Sequence, residues 1–420
     1  MRLPTWAKPS DILTSHQRRI VVLVSLASMS AAFTNTLFTQ TVAFAADEFG
    51  VSRSAQGIGA AVVRFGILMC LPLVALADRR GRRPIMIALA WAAPVVCALG
   101  AIAPNYIVLV ASQTIGRPLG LTLDILIAVV AIEEMPKNSR AYVTGLLAVL
   151  SGAGAGVAVA ALPLADLGVR SWRLIYAVSL MWLPVAIALM TWLPESQRFT
   201  QHVHAHRVQR TKLLRIIRTN LIRICSVVFL SNMYIATGSI FQNRYLKDER
   251  GYSALLVALF TVATSTPASL GLMIGGRIAD ERGRRILGAT MVPLGAFFLG
   301  VSFCISGLSM WMFAIAGGFA FGLSYPALAV YRGELFPTGV RSLAGGIIMT
   351  AALLGGSIGL IGAGHILDAG ASYGAVMMWL VVAPVIASII VWLQYPETAH
   401  RELDEISQDI YSDLTHEETR

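Results

Sequence analysis

The sequence predicts an all-α membrane protein: twelve transmembrane helices in two six-helix pseudo-repeats. Three observations carry this. Hydrophobic residues make up 56% and charged residues 13% of 420, with a mean hydropathy of +0.69, a composition that calls for lipid rather than a water-exposed surface. Twelve apolar runs each approach the roughly 20 residues needed to cross about 30 Å of hydrocarbon. The chain also repeats itself. The charged stretch Asp78-Arg79-Arg80-Gly81-Arg82-Arg83 returns as Asp280-Glu281-Arg282-Gly283-Arg284-Arg285, 202 positions on. Glu133-x-x-Pro136-x-x-x-Arg140 returns at Glu334, Pro337 and Arg341, offset by 201, and Pro194-Glu195-Ser196 returns as Pro396-Glu397-Thr398. Two copies of one half, made of apolar runs and short loops, indicate a membrane protein built from two structural repeats.

Taken in order, a polar basic tail (1–19) precedes runs at 20–45, 54–77, 84–103, 105–132, 141–164 and 173–193, the N-terminal six-helix bundle (20–193). A basic linker (194–220) leads to runs at 221–243, 254–276, 286–306, 309–331, 342–366 and 374–395, the C-terminal bundle (221–395), and an acidic tail (396–420) follows. The first run is too long for a signal-peptide core and lacks a small-residue cleavage site, so it is expected to remain attached. Of the 33 Lys and Arg residues, 25 fall on the loops, tails and run ends that share a side with the Asp-Arg hairpins, and 6 fall on the loops and run ends opposite. That bias predicts a multi-pass plasma-membrane protein with both termini cytoplasmic. It also accounts for the net charge of +10 without invoking nucleic acid.

No metal or cofactor set is expected. Cys70, Cys97, Cys225 and Cys304 all fall in apolar runs and read as core fillers. His202, His204 and His206 lie in the linker without Cys or carboxylate support, and read as a solvated segment.

Polar groups inside the runs are the candidate functional residues. The first run carries Thr34, Asn35, Thr36, Thr39, Gln40 and Thr41; in hydrocarbon each needs a partner, and Asn35 and Gln40 are candidate cavity residues. Arg64 stands 14 residues from Asp78, so about 20 Å from the hairpin along a helix, near mid-membrane. An ionised guanidinium there costs at least about 2.5 kcal/mol, so it requires a partner or a wet cavity. In the fourth run, Arg117 and Asp124 lie about two turns apart on one helical face. Asp124 is the candidate proton carrier, because burial and neighbouring cations act on a carboxyl in opposite senses; a structural neutralising role for Arg64 is the alternative. Positions 201 beyond Arg64, Arg117 and Asp124 are Ser265, Gly318 and Tyr325, so the charges belong to the first copy alone. The second copy offers Asn232, Tyr234 and Tyr325 as cavity residues, with His365 and Asp368 near a run end as gate or interfacial groups. The glycines of the fifth run (Gly152, Gly154, Gly156) are expected to admit close helix contact, and those of the tenth (Gly317, Gly318, Gly322) close contact or bending.

The paired hairpins, the paired Glu-x-x-Pro-x-x-x-Arg and the paired Pro-Glu-Ser/Thr resemble the major facilitator superfamily over nearly the whole chain, nearest its sugar-porter-like and metabolite:proton symporter branches. The resemblance implies a cytoplasmic charge latch made of Asp78, Arg79, Gly81, Arg82, Glu133, Arg140, Asp280, Gly283, Arg284, Glu334 and Arg341. Val74 stands where the family's first hairpin opens with Gly, whereas Gly276 keeps it in the second. The acidic residue of sugar porters in the first run and their Gln pair in the seventh are absent, which argues against a hexose. A Gly-Pro-x-x-Gly-Gly element typical of drug antiporters is missing from the fifth run. The expectation is a monomeric secondary transporter, not an enzyme and without a cofactor, whose partners are a small solute, protons and membrane lipid. Uptake of a small organic anion or other metabolite by proton symport is the leading form. Export of drugs or metabolites is the alternative, and a non-transporting nutrient sensor the remote one.

Overall fold

The computed structural model describes residues 14–134, 140–193, 218–331, 335–336 and 338–398; the side chains of 78, 79, 132, 133, 140–142, 144, 145, 273, 277, 280 and 338–343 are not described. All regular structure among the described residues is helical. Among the described residues, twelve helices are long and apolar enough to cross a membrane: α1 (Ser15–Glu48), α2 (Arg53–Ala77), α3 (Arg82–Ile102), α4 (Tyr106–Ala131), α5 (Leu146–Leu167), α6 (Trp172–Trp192), α7 (Arg218–Asp248), α8 (Ala254–Gly276), α9 (Arg284–Ser302), α10 (Gly307–Ala329), α11 (Ala344–Asp368) and α12 (Tyr373–Gln394).

These match the twelve expected runs, with three corrections. Arg18 and Arg19, expected in a tail, belong to α1, because Thr14 and Gln17 form a reciprocal capping box that starts the helix at Ser15. The seventh helix likewise begins at Arg218 and runs to Asp248. Cys304, expected inside a span, lies beyond the end of α9 and is exposed, because the helix stops at Ser302, short of the expected 306.

The hairpin between α2 and α3 turns at Gly81 (φ 96°) and its counterpart between α8 and α9 at Gly283 (φ 103°). Both values are left-handed, where a side chain is strained, so the sequence repeat is also a backbone repeat. At Gly283 a Cβ would also fall 2.8 Å from a carboxylate oxygen of Glu397. That carboxylate accepts the backbone N–H of Arg284 (2.9 Å) and of Arg285 (3.1 Å), two donors that a helix start leaves without intrahelical partners.

The chain forms two compact units. The first comprises Met1–Val51, Val62–Ala205 and Tyr252–Ala258; the second comprises Ser52–Ala61, His206–Gly251 and Leu259–Arg420. Each unit thus includes one short segment from the other copy of the repeat. In the first, α1 lies at the centre: Val24, Ala27 and Ala31 pack with Leu123 and Ile127 of α4, Val143 and Leu147 at the start of the fifth helix, and Leu189 of α6. Gly154 lets α5 approach α1 so closely that a Cβ would sit 2.1 Å from the Met29 carbonyl oxygen, whereas Gly152 and Gly156 have nothing within 4 Å. The expected glycine contact therefore rests on Gly154 among these three, because only that glycine points at α1. In the second unit, Val227 and Val228 of α7 pack with Ile348 of α11, Ala387 and Val391 of α12 and Tyr331. Gly322 meets the backbone of Ala268, where a Cβ would be 2.2 Å from a carbonyl oxygen, and Gly317 and Gly318 are similarly confined, as expected for that run.

Candidate functional site

The first unit holds the charged group. α2 and α4 carry Arg64 and Arg117 in each other's electrostatic field. The Nε of each is buried and lacks a hydrogen-bond partner, and among the described residues neither guanidinium forms an ion pair. Asp124, two turns along α4 from Arg117, is half-buried and accepts a hydrogen bond from the Ser28 hydroxyl of α1 at 3.0 Å. Neutralisation of Arg64 by Asp124, an alternative open from sequence, is therefore not what the structure shows. On α1, Asn35 Oδ1 and Ser25 Oγ are also buried without partners. Ser25, Ser28 and Asn35 follow spacings of three and seven, which place them on one face of the helix.

Other members of the α1 polar run are spent on structure. Thr34 bonds back to the Ala31 carbonyl at 2.8 Å, and Thr41 bonds to the Leu37 carbonyl and to the Tyr176 hydroxyl, both at 2.8 Å. Gln40 is half-buried and has a partner. Cys70 and Cys97 are buried, free thiols.

The second unit holds a cavity of about 430 Å³ between α7, α8, α9 and α10. Asn232, Tyr234 and Tyr325 line it, but in different ways. The Asn232 amide donates to the Val228 carbonyl of its own helix (3.1 Å), the Tyr234 hydroxyl donates to the Ala296 carbonyl (2.7 Å), and Tyr325 is 60% exposed. Tyr234 therefore presents its ring rather than its hydroxyl, stacked on Phe321 at 6.1 Å between centroids. No charged side chain lines the cavity among the described residues, and Ser231, whose hydroxyl is buried without a partner, is a lining residue. Ser28 and Ser231 were not singled out as site residues from sequence. The usable signal was helical spacing: Ser231, Asn232, Ile235, Gly238, Ser239 and Gln242 recur every three or four residues along one face of α7.

Of the hairpin residues, Gly81 and Gly283 provide the turns described above, and Arg82 and Arg284 open α3 and α9. Arg284 also donates from a terminal guanidinium nitrogen to the Thr398 hydroxyl at 3.2 Å. Glu334 lies outside the described residues, as do the side chains of Asp78, Arg79, Glu133, Arg140, Asp280 and Arg341. His202, His204 and His206 also lie outside them.

Twelve spans in a duplicated pattern define a polytopic membrane protein built from two repeats, and its family makes it a transporter of small solutes rather than an enzyme. The chain belongs to the Major Facilitator Superfamily, whose family model matches residues 24–259 and 224–411. A cis,cis-muconate transport protein of Acinetobacter baylyi is 26% identical over 205 residues, 45% of this chain and 48% of that protein; the match thus spans about half the length of that relative. Among solved structures, a bacterial homolog of the human lysosomal transporter Spinster, inward-facing and unoccupied, superposes with a TM-score of 0.75 at 15% identity, covering 91% of this chain and 97% of that one. The xylose transporter XylE from E. coli, inward open, superposes with a TM-score of 0.73 at 20% identity, covering 93% and 99%. At these identities the superpositions speak for the fold.

Proposed function

We propose that this protein moves a small organic anion across the plasma membrane by alternating access, coupled to protons. The observation that carries the reading is the pair Arg64 and Arg117: two cations in one another's field, each with a buried, unbonded Nε and, among the described residues, no carboxylate in contact. Charge held this way at mid-membrane is costly, and an anion relieves it through charge-assisted hydrogen bonds, which are stronger than neutral ones. The curated relative is named for transport of cis,cis-muconate, a dicarboxylate, which supports the same class. Asp124 is the proposed proton carrier: among the described residues it forms an ion pair with neither arginine, its visible partner is a neutral hydroxyl, and protonating it leaves no buried cation newly unpaired. The Lys and Arg bias supports cytoplasmic termini. The residues of the two hairpins and of the two Glu-x-x-Pro-x-x-x-Arg motifs are proposed as the cytoplasmic latch; in the second copy one of them, Arg284, is linked to Glu397 and Thr398.

A second reading, export of an apolar compound, is favoured by the uncharged cavity of the second unit. Purified protein in liposomes under an imposed pH gradient separates the two. Inward movement of mono- or dicarboxylates with the proton gradient, lost in Arg117→Gln, supports the proposal. Proton-driven expulsion of neutral or cationic drugs replaces it with the second reading. Binding without flux for every solute class refutes both.

A further inference from the structure

The loop ends opposite the Gly81 and Gly283 hairpins contain a feature unconnected with the charged site. Helix starts leave their first N–H groups without intrahelical partners. At α2, the Ser52 hydroxyl accepts the Ala55 N–H at 3.1 Å, and the Asp368 carboxylate takes the N–H of Arg53 at 2.9 Å and of Ser54 at 2.8 Å. At α8, the Ser253 hydroxyl accepts the Leu256 N–H at 3.3 Å, and the Asp166 carboxylate takes the N–H of Ala254 at 2.7 Å and of Leu255 at 3.0 Å. Ser253 follows Ser52 by 201 positions and Asp368 follows Asp166 by 202, so the whole arrangement repeats. It also crosses over: a carboxylate of the first copy caps a helix of the second, and one of the second caps a helix of the first. Each cap lies inside one compact unit, Asp166 with Ala254 and Leu255 in the first, Asp368 with Arg53 and Ser54 in the second.

The caps differ in what surrounds them. Around Asp368, Arg53 donates to the Tyr373 hydroxyl at 3.1 Å and pairs with Asp248 at 3.7 Å, and Ser54 contacts His365 Nδ1 at 2.6 Å. Gly364 allows the Ser54 backbone so near that a Cβ would sit 2.8 Å from its Cα. Asp166 makes its two backbone bonds and no ion pair among the described residues.

We propose that Asp166 and Asp368 are paired clasps that hold the starts of α8 and α2 in one stage of the transport cycle and release them in the other, with Asp368 the tighter. The proposal rests on the alternating-access reading above, but on none of its charged residues. A carboxylate suits this task because it satisfies two successive donors and complements the positive end of the helix dipole, and it can depart to water intact.

The test uses full-length protein with its four native cysteines replaced and spin labels at exposed positions, Ile58 with Ala369 for one clasp and Val169 with Leu256 for the other. Distance distributions are measured without solute. Asp368→Ala is expected to raise the population of the long-distance state about fivefold, the factor that loss of an ordinary helix cap corresponds to. Asp166→Ala is expected to act at its own pair and by less. Should Asp368→Ala fail to fold, Asp368→Asn, which keeps one acceptor oxygen, is read in its place with an intermediate shift expected. Unchanged distributions in folded variants overturn the clasps, even where anion transport is intact. Shifted distributions in a protein that moves no anion uphold them and refute the transport proposal alone.

Discussion

The two units occupy corresponding positions of one repeat and fill them with opposite chemistry. In the first, α2 and α4 place Arg64, Arg117 and Asp124 between the membrane faces. Their counterparts in the second copy are Ser265, Gly318 and Tyr325, and the last two line the cavity that contains no described charge. A duplicated scaffold fixes where side chains project. It does not fix what they are, so one copy specialised in charge and the other in apolar volume.

The largest expected effect removes that distinction. Arg117→Gln or Arg64→Gln should reduce apparent affinity for a carboxylate solute about 100-fold, the scale of losing a buried charge-assisted hydrogen bond. Arg117→Lys should recover little, since an ammonium does not reproduce the guanidinium fork; dose–response flux in liposomes checks both. Asp124→Asn should abolish accumulation driven by a pH gradient while leaving solute exchange at equal pH, and gradient-driven accumulation in that variant would remove Asp124 from the proton path. A smaller effect is structural. Gly154→Val forces α5 from α1, an overpacking cost of about 1–3 kcal/mol, whereas Gly152→Val and Gly156→Val meet open space and should leave the melting temperature in detergent almost unchanged. Glu397→Ala removes both backbone bonds at the start of α9 and should cost about 1 kcal/mol of stability. The least effect is expected of Ser231→Ala, which deletes an unbonded hydroxyl: stability should hold, with a modest change in solute affinity if the cavity is occupied.

Much of the architecture was legible because lipid imposes a length and an apolarity on every span, and because copies 201 or 202 residues apart check one another. The paired charged hairpins were legible for the same reason, though not the glycine turns inside them. Polar residues within spans were harder to read, since a hydroxyl or amide in a helix can satisfy itself on the preceding turn. Thr34, Thr41 and Asn232 do so, and composition cannot separate them from Ser28 or Ser231, which point elsewhere. The partner of Asp124 was hidden by distance, as Ser28 is 96 residues away. The carboxylate caps were hidden by separations of 88 and 315 residues, although the repeat offset, applied to acidic residues at run ends, pairs Asp166 with Asp368 directly.

The exchange of short segments between units bears on how the chain is made. Residues 252–258 complete the first unit, so a nascent chain that has inserted its first six spans still lacks a part of it. The start of α2 waits longer, because its capping carboxylate at Asp368 is translated 315 residues after Arg53. Two fragments divided in the linker and coexpressed would therefore each leave the membrane insertion machinery with a helix start that has its serine cap but not its carboxylate, which arrives only when the fragments meet.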